Sequence, residues 1–146
     1  MAVSQSVSFS KAVQVHGACL CLHTQRAARL VARRFDAGLK RHGITSGQFS
    51  LLMSLNRPEP GSVRWVADLL AVDRTTLTAA LKPLERRGLV QAKTDPSDRR
   101  GKLLSLTAEG QRVLAESVVT WEGLQAAEEG RLANPDELRS ALSALR

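Results

Sequence analysis

The chain has 146 residues and a formal net charge of +7. This length fits one compact domain, and the basic balance favours a polyanionic partner such as nucleic acid or an anionic membrane surface. No apolar run approaches the roughly 20 residues that span a bilayer. Polar residues also interrupt the N-terminus where a signal peptide would be apolar. We therefore expect a soluble cytoplasmic protein with no membrane partner.

The basic charge lies in the first two-thirds of the chain. Residues 23–42 carry six Lys or Arg against one acid, and residues 73–102 carry eight against four. Residues 103–146 reverse the balance, with four Lys or Arg against seven acids. The two basic segments are therefore the candidate surfaces for a polyanion.

The N-terminal half is predicted to be helical after a short tail. Residues 1–17 are Ser- and Val-rich, weakly patterned, and predicted to form a flexible tail. Apolar residues then recur at spacings of three and four, which predicts a helix over residues 19–42 that Gly43 ends. The sequence Thr45-Ser-Gly-Gln48 matches a capping box for a second helix, and Ser62 is the predicted N-cap of a short third helix.

The C-terminal half is predicted to contain three more helices and a β-hairpin. The helices begin at predicted N-cap residues, which are Asp73, Thr107 and Asn134. A hairpin is predicted over residues 89–106, with strands at 89–93 and 102–106 flanking the strong turn signal Asp95-Pro-Ser-Asp98. Pro83 lies inside the first of these helices and is expected to kink it or to leave one carbonyl unpaired.

Two short helices joined by a brief turn, the second followed by a hairpin, describe a winged helix-turn-helix. In this fold the second helix enters the major groove of DNA. Its apolar stripe of Leu77, Leu81 and Leu84 leaves polar and basic side chains facing outward. Arg suits guanine edges and phosphates, and Thr suits hydroxyl bonds and contact with the thymine methyl group. The predicted DNA-binding residues here are Arg64, Arg74, Thr75, Thr76, Thr78, Lys82 and Arg86.

The tip of the predicted wing is rich in arginine. It carries Asp98, Arg99 and Arg100, and an arginine at a hairpin tip can enter a narrow minor groove, where the negative potential is strongest. Asp98 is expected to hold one of these arginines in a fixed pose. An isolated Arg-rich helix is usually only a solvated face, but the order of helix, turn, helix and Arg-tipped hairpin favours DNA binding.

Four motifs follow one another along the helix-turn-helix and the wing. They are Asp73-Arg-Thr-Thr-Leu-Thr78, Leu84-Glu-Arg-Arg-Gly-Leu-Val90, Asp95-Pro-Ser-Asp-Arg-Arg100 and Leu106-Thr-Ala-Glu-Gly110. Together with the helix start Gly43-Ile-Thr-Ser-Gly-Gln-Phe49, they resemble the MarR (multiple antibiotic resistance regulator) family over about residues 19–130. The resemblance implies that Asp98 and Arg100 are the family's wing pair, with Arg100 the better candidate for minor-groove insertion and Arg99 its neighbour.

The resemblance also implies an architecture and a function. The expected fold class is mainly α with a small β-hairpin wing, in which N- and C-terminal helices form a dimerisation region around the winged helix-turn-helix. The implied division is a tail at residues 1–17, a dimerisation region at 18–44 and 107–146, and a DNA-binding domain at 45–106. Such a homodimer binds a pseudo-palindromic operator in double-stranded DNA, which associates it with the nucleoid. It is usually a repressor that a small, often phenolic, effector releases, and no cofactor is implied.

Cys19 and Cys21 lie two positions apart, where a disulfide would close a tiny, strained ring. Cys21 stands at a position that resembles the peroxide-sensing cysteine of the family's OhrR branch. This resemblance suggests a redox switch in which Cys19 or a partner-subunit thiol resolves the oxidised Cys21. That branch uses tyrosines near the thiolate, whereas this chain has none and carries Phe35 and Gln25 in their places. Structural cysteines are therefore the favoured interpretation, and a thiol-based oxidant sensor is the alternative.

The sequence offers no machinery for catalysis or for a metal site, so an enzyme is not expected. The two cysteines and two histidines of residues 16–23 lack the usual Cys-x-x-Cys spacing. Phosphate-binding glycine loops and the motifs Gly-x-Ser-x-Gly and His-Glu-x-x-His are absent from the sequence. Trp65 and Trp121 are expected in core or subunit-interface packing. A weakly specific DNA-binding protein, or an interaction module that has lost DNA binding, are the alternatives from other classes.

Overall fold

The computed structural model describes residues 6–145. Helices dominate it, and three short strands form one antiparallel sheet. In chain order the elements are α1 (Phe9–Ala18), α2 (Leu20–Leu39), α3 (Ser46–Ser54), β1 (Gly61–Ser62), α4 (Val63–Leu70), α5 (Arg74–Arg86), β2 (Val90–Asp95), β3 (Asp98–Leu106), α6 (Ala108–Glu129) and α7 (Pro135–Ser143). A 3-10 turn, Lys40–His42, extends α2. The mainly helical fold with a small wing confirms the fold class expected from the sequence.

Local signals in the sequence set where the helices begin and end. Thr45 and Gln48 form the predicted capping box: the Gln48 N–H donates to Thr45 Oγ1 at 3.2 Å, and the Thr45 N–H donates to Gln48 Oε1 at 3.0 Å. Gly43, at φ 68°, ends the 3-10 turn in the left-handed conformation that glycine adopts without strain. The other predicted N-caps also accept a backbone N–H, and they are Ser62, Asp73, Thr107 and Asn134.

The N-terminal segment differs from the flexible tail predicted over residues 1–17. Residues 1–5 lie outside the described part of the chain, but Phe9–Ala18 is an α-helix. Ser8 begins this helix, because its Oγ accepts the Lys11 N–H at 3.2 Å. Every residue of the helix is exposed, so no buried face imposes the apolar period from which a helix is predicted.

The wing lies where the hairpin was predicted, but its strands are longer than expected. β2 and β3 pair antiparallel, and the register carries Thr94 opposite Lys102 and then Asp95 opposite Asp98. The return strand therefore begins at Asp98 rather than at Lys102, and residues 99–101 form a bulge between two consecutive pairs. β1 adds a third strand to the free edge of β3. β1 could not be predicted from the sequence, because a strand of two residues is too short to show an alternating pattern.

One apolar core joins the helix-turn-helix to the long helices α2 and α6. Leu39 of α2, Leu52 of α3 and Leu84 of α5 are fully buried, and Val113 and Leu114 of α6 belong to the same cluster. Burial of apolar surface is the dominant favourable term in folding. The winged domain is therefore held firmly against the two long helices.

The wing is joined to α6 through a close backbone contact. The Thr107 N–H donates to the Leu89 carbonyl at 3.1 Å, and the Thr107 hydroxyl donates to the Gly88 carbonyl. Gly110 also lies against Leu89, just before β2, since a Cβ built on it would sit 2.0 Å from the Leu89 carbonyl oxygen. The motif Leu106-Thr-Ala-Glu-Gly110 therefore serves to pack α6 against the base of the wing.

Candidate nucleic-acid interface

The recognition helix α5 turns one face into the core and the other to solvent. Leu77, Leu81 and Leu84 lie on one helix face and are at most 5% exposed. The outer face carries a shallow groove of about 300 Å³, which is lined by Arg74, Thr75, Thr78, Ala79 and Lys82. The structure thus brings four of the predicted DNA-binding residues onto one exposed surface. Helix α5 continues through Pro83. Proline has no N–H, so the helical hydrogen bond to the carbonyl of the exposed Ala79 is missing.

The first turn of α5 is fixed by its cap. Asp73 accepts the Thr76 N–H at 2.8 Å and the Thr76 hydroxyl at 2.7 Å. These bonds, chiefly the one from the hydroxyl, hold the pKa of the Asp73 carboxyl below its usual range. Thr76 was predicted to contact DNA, but the structure does not bring it to the groove, because its hydroxyl serves the cap. The cap holds the turn that carries Arg74 and Thr75.

The remaining predicted residues of the helix-turn-helix lie away from the groove. Arg64 is exposed on α4, with its Nε 3.9 Å from Asp68 Oδ2, a weak pair at a solvated surface. Arg86 is exposed in the last turn of α5. Sequence reasoning missed the role of Arg87, whose guanidinium donates to the Gly43 carbonyl and ties the end of α5 to the end of α2. No local signal joins residues that are 44 positions apart.

The wing tip presents Arg99 and Arg100 on the bulge of β3. The turn before it is held by Asp95, whose Oδ1 accepts the Ser97 hydroxyl at 2.6 Å and the Ser97 N–H at 2.8 Å. These bonds lower the pKa of the Asp95 carboxyl. Asp98 Oδ1 accepts the backbone N–H of Arg100 at 3.0 Å. Asp98 therefore holds Arg100 through its backbone, because the bulge brings that N–H to the carboxylate, which agrees with the expectation that Asp98 fixes the pose of one of these arginines.

The cysteines mark the junction between α1 and α2. Cys19 is half-buried, and its Sγ accepts the Leu22 N–H at 3.4 Å as the N-cap of α2. Cys21 is exposed, and Gln25 Nε2 lies 3.1 Å from its Sγ. Both are free thiols. Within residues 6–145, no group of three or more His, Cys, Asp or Glu side chains is arranged to hold a metal ion.

The two tryptophans have different surroundings. Trp121 of α6 stacks on Phe49 of α3, with ring centroids 6.1 Å apart and ring planes at 14°, as expected for a packing residue. Trp65 is 39% exposed, and the Arg57 guanidinium lies 4.1 Å from its ring centroid. Trp65 therefore does not join the core of the subunit, since a cation–π contact at the surface covers one of its faces instead.

An open apolar cavity of about 520 Å³ lies between the long helices and the helix-turn-helix. Side chains from α2, α3, α6 and α7 line it, among them Val31, Phe35, Phe49, Trp121, Leu138 and Leu142. Beside it, Asp36 Oδ1 accepts the Ser46 N–H at 2.6 Å and links α2 to the first turn of α3. The sequence did not predict this cavity, because it is formed by faces of four helices that are distant in the chain.

A recognition helix with an exposed basic groove, followed by an arginine-tipped wing, defines a winged-helix DNA-binding protein. Residues 44–110 match the family model of the winged helix DNA-binding domain. The chain is 32% identical over 104 residues to the organic hydroperoxide resistance transcriptional regulator of Bacillus subtilis, and the match covers 71% of this chain and 70% of that protein. The chain belongs to the MarR family of transcriptional regulators, as its motifs indicated.

Solved structures of transcriptional regulators share this fold over most of the chain. MosR of M. tuberculosis in complex with DNA is 33% identical, with a TM-score of 0.81, over 87% of this chain and 92% of that chain. PcaV of Streptomyces coelicolor in complex with its natural ligand is 25% identical, with a TM-score of 0.77, over 100% of this chain and 95% of that chain. The matched part of the chain spans 70% of the length of the Bacillus subtilis regulator and 62% of the length of another curated relative, which is also a transcriptional regulator. Among the helices of residues 6–145, none is both long and apolar enough to cross a membrane.

Proposed function

We propose that this regulator is a homodimer that occupies a pseudo-palindromic operator and represses transcription until a small-molecule effector releases it. The observation that carries the proposal is the exposed groove of α5 together with the arginine bulge of the wing. Each subunit would place α5 in a major groove and Arg100 in the flanking minor groove, with Arg99 beside it. In this proposal Arg64 and Arg86, which lie outside the groove, contact phosphates.

Exposed apolar side chains at the two ends of the chain support a dimer. Phe9 of α1 is 84% exposed, Leu20 at the start of α2 is 77% exposed, and Leu145 beyond α7 is 66% exposed. Large apolar side chains exposed in one subunit can be buried by a second, and in a two-fold dimer both subunits contribute the same residues. We therefore assign residues 18–44 and 107–146, extended by α1, to dimerisation, and residues 45–106 to DNA binding.

The apolar cavity supports release by a small molecule. It lies between α2, which belongs to the proposed dimerisation region, and α3, which begins the winged domain. A ligand that separates α2 from α3 would move the winged domain relative to its partner, so the two recognition helices would no longer fit half-sites one helical turn apart. PcaV, a regulator of similar fold, has been solved with its natural ligand.

In vitro transcription tests the repressor assignment. A duplex to which the protein binds is placed over a promoter, and transcript is measured as protein is added. We expect the transcript to fall in step with occupancy, because a bound dimer blocks the polymerase, while a template with one half-site scrambled keeps its transcript. A rise in transcript at the same occupancy would contradict repression and assign an activator.

The backbone role of Asp98 gives a sharper test of the wing. Asp98→Asn keeps an oxygen that can accept the Arg100 N–H. Its affinity for DNA is therefore expected to stay within about two-fold of the wild-type affinity. Asp98→Ala loses this hydrogen bond. We expect it to bind DNA roughly five-fold more weakly, because the loss of one hydrogen bond costs about 1 kcal/mol. Fluorescence anisotropy on one duplex at constant salt measures both variants, which share the same change of charge. Equal losses would favour a carboxylate–guanidinium contact instead.

A thiol-based oxidant sensor is the second candidate, favoured by the exposed Cys21 beside the N-cap thiol of Cys19. The Cys21 thiolate would take the terminal oxygen of a hydroperoxide, releasing an alcohol and leaving a sulfenic acid. Cys19, or a thiol of the second subunit, would then displace water to form a disulfide. If Cys19 reacts, α2 loses its cap. Cumene hydroperoxide is then expected to release DNA from the wild type and not from Cys21→Ser, and unaltered wild-type binding would exclude the sensor.

A further inference from the structure

We infer that the apolar cavity binds an uncharged, planar aromatic molecule and discriminates against aromatic carboxylates of the same size. The inference rests on the proposed function in taking this molecule as the effector. The binding preference itself is a property of the cavity, and it is measured without reference to DNA.

Aromatic faces and small side chains shape the cavity. Phe49 and Trp121 lie nearly parallel, and Phe35 also lines the space. Ala28 of α2 and Gly47 of α3 have little or no side chain, which leaves the space between the helices open. A volume of about 520 Å³ falls within the usual range of small-molecule pockets. It suits a flat ligand of roughly two or three fused rings, which gains from offset stacking on the aromatic pair.

The polar groups of the cavity are neutral. Among the described residues that line it, none carries a charge, and the polar side-chain groups are the hydroxyls of Thr24, Ser46 and Ser50 and the indole N–H of Trp121. Hydroxyls can orient a phenol, a ketone or an ester through hydrogen bonds. They do not balance a full charge, and an ionised carboxylate in apolar surroundings is strongly disfavoured unless a cation pairs with it.

Charged groups beside the cavity add to this discrimination. Asp36, which accepts the Ser46 N–H, places a carboxylate rather than a cation at the edge of the cavity. The adjoining cavity contains three arginines, Arg34, Arg131 and Arg139. Arg34 donates to both carboxylate oxygens of Glu128, and Arg131 Nε lies 3.7 Å from Glu128 Oε2. Arg139 pairs with two acidic side chains. Each of the three guanidinium groups therefore already has an acidic partner, which leaves it poorly placed to bind a ligand anion.

A comparison of methyl naphthoate with naphthoate tests the inference, because the two probes share a ring system and differ by one full charge. Binding is followed by quenching of Trp121 fluorescence in a Trp65→Phe background, since the chain has two tryptophans. The ester is expected to bind at least about ten-fold more tightly than the anion. Equal affinities, tighter binding of the anion, or no binding of the ester would overturn the inference.

Ala28→Arg provides the matched variant. Ala28 is an exposed lining residue of α2, so the longer side chain has room, and the new guanidinium is expected to reverse the preference toward naphthoate. An unchanged preference would place the ligand elsewhere and overturn the inference. Release of a labelled operator is read on the same samples. Preferential binding of the ester without release supports the inference and contradicts only the proposed effector mechanism.

Discussion

Gly110→Ala is expected to destabilise the protein by about 3 kcal/mol or more, which lowers the midpoint of thermal unfolding by roughly 6 to 12 °C. The added Cβ would lie 2.0 Å from the Leu89 carbonyl oxygen and 2.9 Å from its carbon, both backbone atoms at the base of the wing. A flexible side chain could move aside, whereas this backbone is held by the bond from the Thr107 N–H. Circular dichroism during heating, at fixed protein concentration, measures the change.

Gly123→Ala is the control for Gly110→Ala within the same helix. A Cβ on Gly123 meets nothing within 4 Å, and the residue is exposed. Alanine lowers the entropy of the unfolded chain and favours helix, so we expect stabilisation of about 0.5 to 1 kcal/mol. The two substitutions in α6 should therefore have opposite signs. If Gly110→Ala were as stable as Gly123→Ala, the contact between α6 and Leu89 would not exist as described.

Arg100→Ala is expected to weaken binding to the operator by about 1 to 3 kcal/mol, or roughly 5- to 150-fold. Arg100 is exposed at the tip of the wing, on a bulge whose backbone Asp98 fixes. An arginine held in this way loses little freedom when it enters a narrow minor groove, where the negative potential is strongest. Arg99→Ala is expected to lose less, because Arg99 is proposed only as the neighbouring contact. Anisotropy titrations at one salt concentration measure both variants.

Arg112→Ala is the control for the loss of one positive charge. Arg112 lies on α6 and pairs with Glu109 and Glu116, so its removal changes the net charge without touching the wing. It is expected to change operator affinity by less than about two-fold, as for a charge screened by solvent and salt. Unchanged affinity in Arg100→Ala would remove the wing from the account of DNA binding. If Arg100→Ala lost only as much operator affinity as Arg112→Ala, Arg100 would contribute no more than its positive charge.

Most of the fold could be predicted because local signals agree with the tertiary structure. Thr45, Ser62 and Asp73 are strong N-caps, and each one begins the helix that the apolar spacing behind it predicts. The segment before Cys19 has no buried face and hence no usable period, so its helix was missed. The two-residue strand β1 was missed because its pairing with β3 comes from tertiary packing.

The site was predictable in its helix and less so in its wing. The buried stripe of Leu77, Leu81 and Leu84 determines which residues of α5 face outward, so sequence alone could select the groove. The role of Asp98 depends on the bulge in β3, which the turn signal does not reveal. The contact between Arg87 and Gly43 and the apolar cavity both need segments distant in the chain, and no spacing rule brings such segments together.

Selection of bound duplexes from a random DNA pool, read by sequencing at near-physiological salt, tests the central claim most directly. A homodimer with two exposed recognition helices predicts enrichment of a two-fold symmetric motif, with half-sites about 10 to 10.5 base pairs apart. The same motif should bind less tightly as salt rises, because arginine–phosphate contacts release counterions. A pool that shows no enriched motif, with binding that only fades with salt, would contradict sequence-specific recognition and favour a weakly specific DNA-binding protein.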